Sequence, residues 1–432
     1  MAKRHLLILG LLLGGALSSA CSDVKIGNIG DAGAPGEAGS KGEAGGKGDA
    51  GSANTGEGGA GGEGGEKPYE FPPSLNPQGV VAILPEPSAF THLLVGASDY
   101  SAGKGEIVSI TLGSGAVGKS TTYEDGDLLA TSSAGVGFAV ERSNDKVHLL
   151  DGGDISTTFD LKKLGTDTAP VDSKAYVPVL NQSLIVILDL TEGRVSRRID
   201  LSEFNAAGDS DHSAEIAEGV YAASNKIAYF VLQRIDLASY DENFRLPCSK
   251  SPGLIVGIDS ETDEVVDLNG DAPGKAIELK LVNQRSLSVN SDGTALYMLA
   301  DGCYEGTNKT HQGVEVVDLT DGTTSVAYKA EGDDYLASMI LTGGPDALIE
   351  SLDATYATHW NKLDLTKDAL GAELQGVPQA VTFDGKDLLG VEVTGTVGKV
   401  VRYDLASESS TVISPKSWGG KYSSASSTAL VQ

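Results

Sequence analysis

Apolar and polar positions alternate along most of the chain from Gly79 onward, and they recur as one hairpin pattern. In residues 313–328, GVEVVDLTDGTTSVAY, a strand of alternating β-branched residues is followed by a polar turn and a second strand. Comparable stretches begin at Lys146, Leu184, Gly253 and Lys399, and weaker ones at Glu106 and His359. Helical periodicity of any length is missing. The pattern predicts seven β-hairpins.

Two further apolar runs precede each hairpin, so the chain divides into seven four-strand units. Where no insertion intervenes, the units repeat about every forty residues, the size of a propeller blade. Since one such sheet leaves both faces uncovered, the units must stack radially. We therefore predict an all-β fold, a seven-bladed β-propeller over residues 78–432. In this scheme Val80–Pro85 and Ala169–Ser173 are the first strands of blades one and three. Residues 427–432 form a strand beside blade one or seven, or a frayed tail.

A polar residue, Asp in six hairpins and Thr in one, recurs at the first turn position. These marker residues are Thr111, Asp151, Asp189, Asp259, Asp318, Asp364 and Asp404. An Asp side chain at such a position accepts backbone N–H groups two residues on. We assign these residues to turn structure and not to binding.

The N-terminus has the layout of a bacterial export signal. Lys3, Arg4 and His5 precede an apolar run, Leu6–Leu17, that is too short to cross a bilayer. We predict a signal peptide over residues 1–20, and Leu17-Ser18-Ser19-Ala20-Cys21 resembles the lipobox of bacterial lipoproteins. That resemblance implies a lipid on Cys21, with Ser22 favouring the outer membrane. Ordinary signal-peptidase cleavage after Ala20 is the alternative.

Residues 21–77 are rich in glycine. A glycine falls at every third position from Gly27 to Gly51, and Pro35 is the one proline in that run. Strict Gly-X-Y repeats can form a collagen triple helix, which would imply a trimer. So few prolines favour a flexible acidic linker instead.

The turn Ser291-Asp292-Gly293-Thr294, followed by the strand Ala295–Met298, resembles the YVTN-type β-propeller repeats of bacterial surface proteins. The resemblance covers the chain from about Gly79 to its end. With the lipobox-like and collagen-like stretches, the whole is similar to surface lipoproteins of myxobacteria. This implies a lipid-anchored protein of the outer membrane that faces the periplasm or the cell surface.

The charge excludes one class of partner. The formal net charge is −28, with 56 glycines and 6% aromatic residues. Such an acidic protein repels phosphate backbones, so we predict no nucleic-acid binding.

Three long connections interrupt the blade pattern: residues 235–253, residues 302–312 and the link 202–217. In a propeller these connections open on the same face, and we call them together the crown. Loops on a rigid scaffold commonly carry function. The candidate binding residues of the crown are Asp209, Asp211, His212, Tyr240, Phe244, Arg245, Tyr304 and His311.

Cys248 and Cys303 lie at corresponding places in two crown loops, and we predict a disulfide between them because the chain carries an export signal. Two free thiols are the alternative. The run 208–215, GDSDHSAE, alternates oxygen ligands as a Ca²⁺ loop does but lacks the EF-hand glycine and glutamate. A zinc pair of His212 and His311 lacks a third ligand. No metal and no cofactor are predicted.

Local catalytic motifs are missing from the sequence. We find no GxSxG, no HExxH, no haem motif and no phosphate loop, since Gly118-Lys119-Ser120 lacks the preceding glycine. We therefore predict that the chain is not an enzyme and that it binds a protein or glycan through the crown. The alternative is a lactonase-like hydrolase or quinoprotein-like oxidoreductase at the mouth of the central channel. An enzyme would bring ionisable groups from several blades together there, whereas a binding protein would expose aromatic residues on the crown.

Overall fold

The computed structural model describes residues 74–432 except 86–88, 164, 166–168, 208–210, 237–238, 242–244, 249–250, 271–274, 345, 395–396 and 420–423. The signal peptide, Cys21, the Gly-rich linker, Asp209 and Phe244 lie outside the described residues. The described part consists of antiparallel sheets and contains no α-helix; a short 3-10 helix spans Ser202–Phe204. No helix in this part is long and apolar enough to cross a membrane.

Seven sheets form the blades; six have four strands, and the sheet of blade 4 has a fifth, short strand. From the axis, blade 1 consists of β31 (Ser424–Val431), β2 (His92–Asp99), β3 (Lys104–Thr111) and β4 (Val117–Tyr123). Blade 2 consists of β5 (Leu128–Ser133), β6 (Val136–Glu141), β7 (Lys146–Asp151) and β8 (Asp154–Asp160). Blade 3 consists of β1 (Val81–Ile83), β9 (Lys174–Pro178), β10 (Leu184–Asp189) and β11 (Arg194–Asp200).

The remaining blades follow in chain order. Blade 4 consists of β12 (Ile216–Ala222), β13 (Ile227–Leu232), β14 (Leu254–Asp259) and β15 (Val265–Val266), with β16 (Ile277–Glu278) beside β14. Blade 5 consists of β17 (Gln284–Val289), β18 (Ala295–Ala300), β21 (Gly313–Asp318) and β22 (Thr324–Lys329). A separate hairpin, β19 (Cys303–Glu305) and β20 (Asn308–Thr310), stands between β18 and β21. Blade 6 consists of β23 (Tyr335–Gly343), β24 (Asp346–Leu352), β25 (Thr358–Asp364) and β26 (Ala369–Leu374). Blade 7 consists of β27 (Gln379–Phe383), β28 (Leu388–Thr394), β29 (Val397–Asp404) and β30 (Ser409–Gly419).

The core lies between neighbouring blades. One cluster joins Tyr176 and Ile187 of blade 3 to Phe230 and Val256 of blade 4. Similar clusters join blades 1 and 2, 4 and 5, 5 and 6, 6 and 7, and 7 and 1. Middle strands are covered on both faces, so β10 is buried throughout, whereas the outermost strand β26 is almost wholly exposed. This explains why the middle strands read as apolar runs and the outer ones as polar. The predicted seven-bladed propeller is confirmed.

Both ends of the described chain close the ring. The C-terminal strand β31 pairs with β2 and becomes the innermost strand of blade 1. The strand β1 pairs instead with β9, with Val81 opposite Tyr176, so it is the innermost strand of blade 3. Val80–Pro85 was therefore predicted in the wrong blade, and Ala169–Ser173 is not a strand. The sequence of a short apolar strand does not show which strand it pairs with. The alternation of apolar and polar residues in β1 therefore could not predict its pairing with β9.

An internal carboxylate fixes the entry of the chain into blade 3. Asp145 is fully buried, and its Oδ1 accepts the N–H groups of Leu75 and Asn76 at 2.7 and 3.2 Å. The same oxygen accepts the Ser74 hydroxyl at 3.0 Å, and Lys162 lies 2.8 Å from Oδ2. These contacts place residues 74–76 against the loop between β6 and β7, on the face where the crown loops open.

The marker aspartates have the predicted turn role at five hairpins. Asp318 Oδ1, for example, accepts the Thr320 hydroxyl at 2.5 Å and the Thr320 N–H at 2.8 Å, and these two bonds lower the pKa of its carboxyl. Equivalent bonds are made by Asp189, Asp259, Asp364 and Asp404.

Candidate functional site

The two crown loops of blades 4 and 5 form one structure. The Tyr304 N–H of β19 donates to the Leu246 carbonyl at 2.8 Å, and the Cys248 N–H donates back to the Tyr304 carbonyl at 3.3 Å. Pro247 and Tyr304 form a parallel bridge. Residues 246–248 of the blade 4 loop thus lie along the edge of the β19–β20 hairpin of blade 5, held by main-chain hydrogen bonds.

A disulfide closes this joint. Cys248 and Cys303 are bonded, as the sequence predicted, with Cα atoms 4.8 Å apart. Cys303 is fully buried, and Cys248 is partly exposed. The crown of blades 4 and 5 is therefore a platform held by main-chain bonds and a covalent link.

Arg245 and Tyr304 meet on this platform. The Arg245 guanidinium lies 5.3 Å from the centre of the Tyr304 ring, a cation–π distance. A turn holds Arg245 in place, because its N–H donates to Asp241 Oδ1 at 2.9 Å and its carbonyl accepts the Asp241 N–H. Burial raises the pKa of Tyr304, and the Asp301 charge adds to the rise while Arg245 opposes it. Both side chains remain partly exposed.

The other predicted crown residues are more dispersed. Asp211 accepts the Ser213 N–H at 3.0 Å, and the His212 carbonyl accepts the Asn205 amide at 2.7 Å, so these bonds stay within the link between blades 3 and 4. Tyr240 is partly exposed. His311 is exposed, with Nε2 3.6 Å from Glu305 Oε1.

One group of possible metal ligands occurs in the described part of the crown. Ligand atoms of Cys248, Glu305 and His311 all lie within 4.8 Å of one another. Because Cys248 is in the disulfide, its sulfur is not a thiolate ligand. We infer no metal centre from this group.

A buried charge cluster below the crown was missed by the sequence reasoning. Lys309 Nζ lies 2.6 Å from Asp301 Oδ1, and Arg285 lies 3.7 Å from Oδ2. Both cations also approach the Tyr335 ring, at 5.6 and 4.4 Å from its centre. Asp301 Oδ1 also accepts the Leu336 N–H at 2.8 Å, which ties blade 5 to blade 6. No local pattern marks these residues, since they meet only when the ring forms.

The second site is the central tunnel of the ring. Residues of all seven innermost strands line a cavity of about 470 Å³, and Phe90 and Gln78 contribute from connecting segments. Many of its lining residues are small, including Ser132, Ser286 and Ser338. Its volume lies in the range of small-molecule sites.

Two carboxyls lie at or close behind the tunnel wall: Glu218 is partly exposed, and Glu350 is buried. Glu218 of β12 lines the tunnel, and burial raises the pKa of its carboxyl to about 8. Glu350 of β24 lies behind the wall, where the Ser338 hydroxyl donates to its Oε2 at 2.7 Å, and burial raises its pKa to about 7. Sequence reasoning placed Glu218 in a strand but gave it no role, because alternation alone does not show which strand edge faces the axis.

Neither a family model nor a curated protein matches this sequence. Solved propellers match over most of the chain. A putative 6-phosphogluconolactonase from Bacteroides fragilis is 15% identical, with a TM-score of 0.49, over 80% of this chain and 99% of its own. One from Bacteroides uniformis is 13% identical, with a TM-score of 0.49, over 79% and 100%. A dihydro-haem d1 dehydrogenase is 12% identical, with a TM-score of 0.45, over 84% and 82%. At this identity the likeness shows the fold alone.

These comparisons correct the prediction that the chain is not an enzyme. That prediction used the absence of local motifs, yet propellers named as a lactonase and a dehydrogenase share this fold. The physical reason is that side chains from several blades converge in a propeller, so a catalytic site needs no linear motif. At 12–15% identity the likeness assigns no activity to this chain.

Proposed function

We propose that this chain is an exported lipoprotein, attached to the outer membrane through Cys21, whose propeller binds a protein partner through the crown. The observation that carries the proposal is the Arg245–Tyr304 pair on a disulfide-closed platform. Arg and Tyr are enriched among residues that dominate protein–protein binding energy. A platform ordered before binding loses less conformational entropy when the partner docks.

The choice of a protein over a glycan follows from the tyrosine. Glycan binding commonly uses an open aromatic face, whereas the Tyr304 ring already carries the Arg245 guanidinium. The pair instead offers donors and apolar surface together, which suits a protein surface with carboxylates.

A site-specific crosslinker tests the crown. In cells that produce the full chain, a photoreactive amino acid replaces Tyr304, and in the control it replaces Asp292, an exposed residue of the turn between β17 and β18 on the opposite face. We expect a discrete, protease-sensitive crosslinked species when the crosslinker is at Tyr304 and none when it is at Asp292. In a second chain, with the crosslinker at Tyr240, Arg245→Ala should reduce the yield of the crosslinked species at least fivefold. Equal crosslinking from both faces, or a species destroyed by periodate and not by protease, contradicts the proposal.

The anchor is tested separately. Several acyl chains, each contributing about 0.8 kcal/mol per buried CH₂, would hold the protein permanently at the membrane. We expect the full chain to enter the detergent phase on phase separation and Cys21→Ala to remain in the aqueous phase. Partition of both proteins into the aqueous phase would refute lipidation without affecting the crown.

A further inference from the structure

The junctions between innermost strands use one recurrent hydrogen bond. A side-chain oxygen on one innermost strand accepts an N–H from the free edge of the next. A serine hydroxyl does this at three junctions: Ser427 to Ala130 at 2.8 Å, Ser133 to Ala82 at 2.8 Å, and Ser286 to Met339 at 3.2 Å. These bonds satisfy edge N–H groups that would otherwise face the tunnel.

The junction between blades 4 and 5 has a carboxyl in this role. Glu218 Oε2 accepts the Leu287 N–H at 2.9 Å. Within the described residues, this N–H is the one hydrogen-bond partner of the carboxyl. A hydroxyl satisfies the same kind of N–H elsewhere, so the bond alone does not require an ionisable group. The carboxyl adds a second oxygen and a potential charge at the tunnel wall.

The described residues of the tunnel lining include no cation that could neutralise that charge. Among the described lining residues, Glu218 and Tyr221 are the titratable ones, and none is Lys, Arg or His. The other innermost strands contribute uncharged residues, and Glu350 is separated from the tunnel by Ser338. Such a lining disfavours phosphate or carboxylate ligands, and a single carboxyl is too few acidic ligands for a divalent cation.

We propose that the tunnel binds a small organic ammonium ion, with Glu218 as its counter-ion. Hydroxyls and free strand edges supply hydrogen-bond acceptors, and Phe90 and Tyr221 are among the lining residues, with side chains packed against the cores between blades. A carboxylate and an ammonium group attract each other more strongly at a partly buried site than in bulk water. The net charge of −28 also favours entry of a cation over an anion.

The ligand and the carboxyl are linked through a proton. Burial raises the pKa of Glu218 to about 8, so the empty tunnel holds a protonated carboxyl at pH 7. An ammonium ion stabilises the ionised carboxylate and expels that proton. Binding should therefore release close to one proton per ligand at pH 7, and affinity should rise with pH up to about 8.

Calorimetry on the mature chain tests this site with choline as the probe. The uncharged isostere 3,3-dimethylbutan-1-ol is the matched ligand, and buffers of different ionisation enthalpy report proton release. We expect one choline per chain, binding at least tenfold weaker for the isostere, and release of nearly one proton. Glu218→Gln should weaken choline binding at least tenfold and abolish proton release, whereas Glu350→Gln should leave both unchanged.

Each opposite result overturns the proposal. Three results would do so: no saturable binding of choline up to about 20 mM, equal binding of choline and the isostere, or unchanged choline binding by Glu218→Gln. Thermal melting shows that each variant is folded before binding is measured. The tunnel site does not depend on the crown, so failure of one leaves the other standing.

Discussion

Glu218 should make stability depend on pH in a direction opposite to that of most carboxyls. Its pKa rises from an ordinary 4.5 to about 8 because burial disfavours the charged form, and the Leu287 N–H opposes this rise only in part. The folded state therefore binds this proton more tightly than the unfolded chain does. Its contribution to stability is fully present below pH 4.5 and is lost as the pH rises towards 8.

Glu218→Gln removes this dependence and keeps an oxygen to accept the Leu287 N–H. Since one pKa unit corresponds to about 1.4 kcal/mol, raising the pH from 4.5 to 7 should lower the contribution of Glu218 to the free energy of unfolding of the wild type by about 3 kcal/mol. We expect the variant to match the wild type near pH 4, to be more stable by about 3 kcal/mol at pH 7, and to gain little more above pH 8.

Urea unfolding of both proteins at a series of pH values between 4 and 9, followed by circular dichroism, measures the difference (the range spans roughly both pKa values). Glu192→Gln, an exposed turn position, is the matched control and should show no trend. A difference between Glu218→Gln and wild type that stays flat, or that shrinks as the pH rises, would refute the burial of an uncompensated carboxyl at the tunnel.

Two further changes test the crown and the entry of the chain. Replacing both Cys248 and Cys303 by Ser should lower the free energy of unfolding by up to about 4 kcal/mol, because the disulfide closes a loop of 55 residues. Limited proteolysis should then cut the double variant within residues 234–253, and reduction of the wild type should give the same pattern. Full resistance of the variant to protease would contradict a crown held by the disulfide. Asp145→Ala should lower the free energy of unfolding by roughly 3 kcal/mol and speed hydrogen exchange in residues 74–83, because three donors lose a buried acceptor. Asp151→Ala, at an exposed position, is the control. Unchanged exchange in Asp145→Ala would show that this carboxylate does not hold residues 74–76 in place.

The hairpin repeat was sufficient to predict the blades because each hairpin is local in sequence. A polar turn such as Asp318–Gly322 and its alternating flanks carry that information within a few residues. The disulfide was predictable too, since Cys248 and Cys303 occupy matching insertions.

The closure of the ring and the tunnel were not predictable in the same way. Pairing of β1 with β9 joins residues almost a hundred positions apart (roughly the separation of Val81 and Tyr176), and alternation is equally compatible with other partners. The role of Glu218 depends on which strand edge faces the axis, and the cluster of Arg285, Asp301 and Lys309 forms between blades. Such sites arise from long-range packing and leave no motif.

The tunnel, and the platform that the crown of blades 4 and 5 forms, both require a closed ring, with β1 and β31 as innermost strands of blades 3 and 1. Hydrogen exchange of the mature protein, read by mass spectrometry, tests this closure most directly. We expect amides of β1 and β31 to be protected as strongly as those of their partners β9 and β2. Exchange of either segment at the rate of an unfolded peptide, while β2 and β9 stay protected, would show that the ring is not closed in this way.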